Sequence, residues 1–311
     1  VLKTSNELVF GRNLDWVSDN GLLIVNKRNV VKKSLVFTPD KAIEWTSKYG
    51  SITFNQFGKE FPFGGINEKG LVVEIMVADA EYPVYDERPA VNELQWIQYQ
   101  LDNARTIDEV INSDKIIRIS EIDQKLHFLI CDSYGDVAVI EFMNNKMIVF
   151  KGKDLPFPIL ENDTYSKSLI KYKNKTNCRF ETATTMIKNY QPSIHNSIIN
   201  YSFDILDSVK LSGSWSIVYD IKNMKIHFKT QSNKKVQIID CNFFNFSCEQ
   251  ECMMYDLQMK QEGNIDKQFI PFDSKKNKKK MQYAIKSNDL NFSKDIIFQF
   301  YSYHKNCICL R

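Results

Sequence analysis

The chain has 311 residues, 43% of them hydrophobic and 25% charged, with 41 Lys and Arg against 38 Asp and Glu for a net charge of +3. That balance is ordinary for a globular protein, and no apolar run reaches the roughly 18 residues of a membrane-spanning helix. The one concentrated basic stretch, Lys275–Lys280, reads as a solvated helix or loop face rather than a nucleic-acid surface. Seven cysteines at irregular spacings make a poor disulfide framework, so each is read as a small buried hydrophobe; the four histidines show no zinc-ligand spacing.

Leu8-Val9-Phe10 is a strand-like run that leads into Gly11-Arg12-Asn13-Leu14-Asp15-Trp16. In an unbroken strand, positions 12 and 15 face opposite sides, so joint use of the two charges calls for a turn or bulge at Asn13-Leu14. Ser51-Ile52-Thr53-Phe54 alternates polar and apolar, as a half-buried strand does. Asn67 to Gly70 is a turn signal, and Leu71 to Val77 is a nearly continuous apolar run suited to a strand covered on both faces. Glu74 lies inside that run, where a charge needs a partner the sequence does not name. Val91 to Asn103 reads as a helix with Val91, Leu94, Ile97 and Leu101 on one face. Thr106-Ile107-Asp108-Glu109 is a capping-box pattern opening a second, short helix. Short turns join strands at 126–131, 137–142 and 147–150, and again at 215–219 and 225–229, so these pair antiparallel. Helices are predicted around Phe180–Tyr190 and Ser202–Lys210. Helices in blocks beside antiparallel strands indicate an α+β layered architecture, read as a single domain over 1–311. From about Glu262 the chain turns polar and Lys/Asn-rich, and is expected to be a peripheral segment.

Gly11–Trp16, Gly65-Ile66-Asn67-Glu68-Lys69-Gly70-Leu71, Asn162-Asp163-Thr164-Tyr165, Arg179-Phe180 and Trp215–Asp220 follow one another along the chain. In that order and approximate spacing they resemble the choloylglycine hydrolase and penicillin V acylase family, linear-amide hydrolases of the N-terminal nucleophile class. The resemblance covers roughly residues 5–260. It implies a four-layer αββα sandwich, with two antiparallel sheets between helix layers. It implies a small-molecule amide as partner, frequent assembly into tetramers, and neither a metal nor an organic cofactor. It also implies a processed N-terminal Cys as nucleophile, whose α-amine helps manage the proton. A thiol with a pKa near ~8.5 attacks an amide only when partly ionised, and a neighbouring cation favours that. By the same resemblance Arg12 is the cation beside the sulfur, and Asp15 is the carboxylate that orients the α-amine. Asn162 and the Val77 backbone N–H form the oxyanion hole, and Arg179 supports the site electrostatically.

Two departures refine these expectations. Ten residues precede Gly11 and none is Cys, and no internal Cys has a free α-amine. The sequence is therefore expected to begin a few residues downstream of the mature end; the alternative is a non-catalytic relative that keeps the pocket as a small-molecule binding protein. Bile-salt-selective members carry Asn at the position matching Val77. Met76 and Val77, with Tyr82-Pro83, suggest an apolar pocket, hence an apolar or aromatic acyl group rather than a steroid. Trp16 and Trp215 are read as core residues.

Overall fold

The computed structural model describes residues 1–176, 178–195 and 197–310. Among these, a nine-stranded antiparallel sheet runs in the order Lys146–Lys151, Val137–Met143, Leu126–Cys131, Val72–Val77, Pro62–Asn67, Ser51–Asn55, Leu22–Asn26, Met253–Asp256, Ile270–Pro271. A six-stranded sheet runs Leu2–Lys3, Leu8–Leu14, Trp215–Asp220, Lys225–Thr230, Gln237–Asp240, Gly263–Asn264. Helix α1 (Glu93–Asn103) packs on the nine-stranded sheet, and α2 (Ile107–Asn112) follows it. Helix α3 (Tyr165–Lys173) contacts α4 (Arg179–Asn189), and α4 packs on α5 (Ile198–Val209), which lies on the six-stranded sheet. The layers are thus αββα. Between the sheets the Phe54 ring meets Trp215 at 5.7 Å and Phe228 at 5.6 Å.

Several elements differ instructively from the sequence expectation. All of Ser51–Asn55 is buried rather than half-buried, because helix and sheet cover its two faces. Its hydroxyls are satisfied internally: Asn26 Nδ2 donates to Ser51 Oγ and Thr53 Oγ1. Helix α1 starts at Glu93 because the Asn92 carboxamide caps it, accepting from the Leu94 and Gln95 amides at 3.1 and 2.8 Å. Thr106 caps α2 as expected, but the Glu109 carboxylate reaches back to the Arg105 amide, one residue beyond the capping-box partner. Helix α5 begins four residues early, where Ser197 caps it. At the Asn67–Gly70 turn, Gly70 has φ +80°, a conformation that favours glycine.

The C-terminal segment differs most. Helix α6 (Ser274–Ser287) turns Lys275, Lys276, Lys278 and Lys279 to solvent and Asn277, Met281 and Ala284 inward. Met281 and, from α7 (Lys294–Ser302), Phe300 join Leu35, Phe61 and Tyr303 in a second hydrophobic cluster. The Tyr303 hydroxyl donates to the Lys33 carbonyl at 2.6 Å, and Ile308–Cys309 pairs with Val30–Val31. A disulfide joins Cys248 to Cys309, so these two are not buried hydrophobes; Cys131 and Cys241 are. The segment is integral to the packing rather than peripheral, because its apolar residues recur at helical spacing among the lysines. No helix among the described residues is long and apolar enough to cross a membrane.

Candidate active site

The site forms where one strand loses a neighbour. Strand Val72–Val77 pairs with Leu126–Cys131 along its whole length. On its other side Pro62–Asn67 pairs from Ile66↔Val72 to Gly64↔Glu74. The Ala78 amide donates to Lys125, so alternation along an antiparallel strand turns the polar groups of Val77 and Ile75 toward the side left open. Arg12 Nη2 donates to the Ile75 carbonyl at 3.2 Å, and Asn162 Nδ2 donates to the Val77 carbonyl at 3.1 Å. The Val77 N–H lies on the same edge.

Glu74 faces the other sheet, and there it finds the partner the sequence did not name. Its Oε2 is 3.0 Å from Arg12 Nε, and its Oε1 accepts from the Tyr219 hydroxyl at 2.5 Å. Gly64, directly across the ladder, leaves room; a Cβ there would collide with the carboxylate. Burial pushes the Glu74 carboxyl up to about 7, with Arg12 and the Tyr219 hydroxyl pulling it down. Arg12 is itself 5% exposed, and its Nη1 has no hydrogen-bond partner among the described residues. The lone acid in an apolar run was the available signal. Its partner sits in the opposite sheet, beyond the reach of local pattern.

Arg12 and Asp15 do not pair with each other, nor does a bulge bring them together. Strand Leu8–Leu14 keeps an unbroken register with Trp215–Asp220, and Asp15 lies just past its end. The Asp15 Oδ1 accepts from the Ser212 and Gly213 amides at 3.1 and 2.6 Å, while Oδ2 is 3.7 Å from Arg179 Nη1. Arg179 opens α4, and its Nη2 donates to Asn162 Oδ1 at 2.9 Å. Asp15, Arg179, Asn162 and Val77 therefore form one connected chain. Asn162 carries two N–H donors, and one remains beyond that given to Val77.

These residues line a cavity of about 630 Å³, together with Val1, Trp16, Phe63, Met76 and Leu206. That volume lies within the roughly 300–1,000 Å³ of small-molecule sites. Trp16 is part of this wall, unlike Trp215, which is fully buried core. Tyr82 is not in the wall. Its hydroxyl donates to the Gln124 carbonyl and accepts from the Leu126 amide, and its ring packs on Phe142, so the expected substrate contact is replaced by a core role. Leu290, Phe292 and Met281 of the C-terminal segment line the cavity as well. Met281 and Ala284, then Ile296 and Phe300, at spacings of three and four, were the sequence signal for it.

This arrangement sits on a fold seen before. The penicillin V acylase of Agrobacterium tumefaciens superposes with a TM-score of 0.73 at 21% identity, covering 88% of this chain and 96% of that one. A mutant of the conjugated bile acid hydrolase of Clostridium perfringens gives 0.64 at 19% identity, covering 86% and 93%. These likenesses define the class: an N-terminal nucleophile hydrolase fold. In sequence, a penicillin V acylase of Pectobacterium atrosepticum is 25% identical over an alignment of 297 positions, which covers 77% of this chain and 78% of that protein. The family model for linear amide C–N hydrolases, choloylglycine hydrolase family, matches residues 1–192, and the chain belongs to that family.

Proposed function

We propose that this enzyme hydrolyses a linear, non-peptide amide with an apolar or aromatic acyl group. The reaction runs through a thioester on a cysteine upstream of Val1. The observation that carries the reading is the convergence of Arg12, Asp15, Asn162, Arg179 and Val77 on one cavity, with the Arg12 Nη1 donor unpartnered among the described residues. The register adds support. Leu2 stands opposite Val9 and Lys3 opposite Leu8. Continued upstream, that ladder runs the preceding residues past Gly11, Arg12 and Asn13 toward Asp15.

In this reading Arg12 favours the thiolate, and Asp15, fixed by two backbone amides, orients the α-amine. The sulfur attacks the amide carbonyl; an S–C bond forms and the C=O π pair moves onto oxygen. That oxyanion accepts from the free Asn162 N–H and from Val77 N–H, and such a donor is worth ~3–4 kcal/mol in the transition state. The oxyanion collapses, the C–N bond breaks, and the leaving amine takes a proton from the α-ammonium. Water then adds to the thioester and gives its proton back to the α-amine. The S–C bond breaks, releasing the carboxylic acid and the thiolate.

The test uses the chain with its native upstream segment. Phenoxyacetyl and fatty-acyl amides should be hydrolysed, and intact mass spectrometry should trap an acyl adduct on the first residue. A native upstream segment without cysteine, or a mature chain that turns over no amide, refutes the reading.

A further inference from the structure

The apolar part of the cavity runs away from the reacting groups in a definite direction. Trp16, next to Asp15, meets the Phe63 ring at 6.4 Å, and Phe63 meets Phe57 at 5.7 Å. Phe57 and Leu94 pack against both hydrophobic clusters, the one between the sheets and the one made by the C-terminal helices. Both residues line the cavity. The cavity therefore extends from the polar groups to α6, α7 and the loop between them. Its volume of about 630 Å³ has room for roughly twenty water-sized groups at about 30 Å³ each. A compact acyl group would fill only the part beside Trp16.

The α6–α7 hairpin is firmly held around this space. The Asn277 Oδ1 accepts from the Lys59 amide at 3.0 Å, and Lys280 Nζ reaches Asp256 at 2.6 Å. Beyond α7, Tyr303, the strand pairing of Ile308–Cys309 and the disulfide fix the other end. The connecting loop bonds back to its own helix, Asn288 to Ala284 and Leu290 to Ile285. Its apolar side chains, Leu290 and Phe292, with Ile285 before them, are left to line the cavity. Residues 274–302 also lie outside the 1–192 span that matches the family model.

We propose that the α6–α7 hairpin is the specificity wall of the acyl site, and that the acyl group is an extended, uncharged aliphatic chain whose tail lies against Ile285, Leu290 and Phe292. This rests on the amide hydrolase reading above. The chain passes along Trp16, Phe63 and Phe57, and apolar burial at its tail supplies selectivity for length. Asp123 and Asp289 line the same cavity, so a tail ending in carboxylate is disfavoured by like charge.

The experiment compares kcat/KM for acetyl, butyryl, octanoyl, dodecanoyl and phenoxyacetyl amides of one amine, using the chain with its upstream segment. Leu290→Trp should lower the dodecanoyl-to-butyryl ratio by roughly ten-fold or more, and Leu290→Ala should lower it in the same direction. Should the larger side chain fail to fold, the smaller variant still reads the ratio. A dodecyl ketone analogue with a terminal diazirine, irradiated on the unaltered enzyme, should crosslink within residues 281–300. Unchanged ratios in a folded variant, or crosslinks confined to α4 and α5, overturn the wall while leaving amide hydrolysis standing. Absence of hydrolysis for every amide, with crosslinks still in the hairpin, counts against the reaction and for the wall.

Discussion

At one end of the cavity the groups are polar and come from strand ends and a helix start, each held by backbone or by a buried ion. At the other end they are apolar, come from a lysine-studded helical hairpin, and are held by packing and a disulfide. Asp15 and Asn162 have fixed partners within hydrogen-bond reach. Leu290 and Phe292 line the cavity through apolar packing, with the Phe292 ring stacked on Phe300 at 6.0 Å. Chemistry tolerates little displacement, whereas an apolar wall sets how much of a chain is covered and can be re-cut without disturbing the reacting groups.

Substitutions at the polar end should be the costlier. Arg12→Ala removes the cation that holds the buried Glu74 carboxyl down, so the acid should take up a proton; with the ion pair lost, the fold should be destabilised by about 1–3 kcal/mol in urea unfolding, with loss of turnover. Asn162→Ala should cost about 10²–10³-fold in kcat with the thermal midpoint nearly unchanged, and Asp15→Ala should likewise lose most turnover. Near-normal rates in both variants would remove the polar end from the chemistry. Cys309→Ser, at the apolar end, opens the disulfide whose partners lie 61 residues apart, and should cost about 2–4 kcal/mol. Hydrogen exchange should quicken in residues 274–302 and not around Asn162; faster exchange at both would show that the two ends are not separable.

Glu74 sharpens the contrast through pH. Its carboxyl titrates near 7 in the folded chain against an ordinary 4.5. The native state therefore holds this proton more tightly than the unfolded state does. Its contribution to stability is full below about pH 4.5, falls as pH rises to about 7, and is level above that. Glu74→Gln should flatten this part of the stability–pH curve, and an unchanged slope would contradict the assignment. The smallest effect is expected at Asp273, which caps α6 by accepting from the Lys275 and Lys276 amides. Its replacement by Ala should cost about 1 kcal/mol by thermal unfolding, with the polar end untouched.

The two ends also differed in how far they could be read from sequence. Gly11–Trp16, Asn162 and Arg179 stand in motifs whose order carries information, and the strands between them announce themselves by apolar runs and tight turns. What escaped was anything decided between elements distant in sequence. Glu74 reads as an anomaly until the facing sheet supplies Arg12 and Tyr219. Ser51 and Thr53 read as solvent-facing until Asn26 bonds them from the next strand. Met281 and Phe300 are outnumbered by lysines, so composition hides a face that only three-dimensional packing completes. Tyr82 sits near Met76 in sequence, but its hydroxyl is claimed by Gln124 and Leu126.

The absence of a side chain at Gly64 imposes an order on mutational history. The Glu74 carboxylate occupies the volume that a methyl group at Gly64 would need. A lineage that acquires alanine there must already have shortened the acid, and one that keeps the acid is barred from the alanine. Two positions facing each other across a ladder are thereby locked into a single heritable unit, and the arginine that the acid grips inherits that constraint.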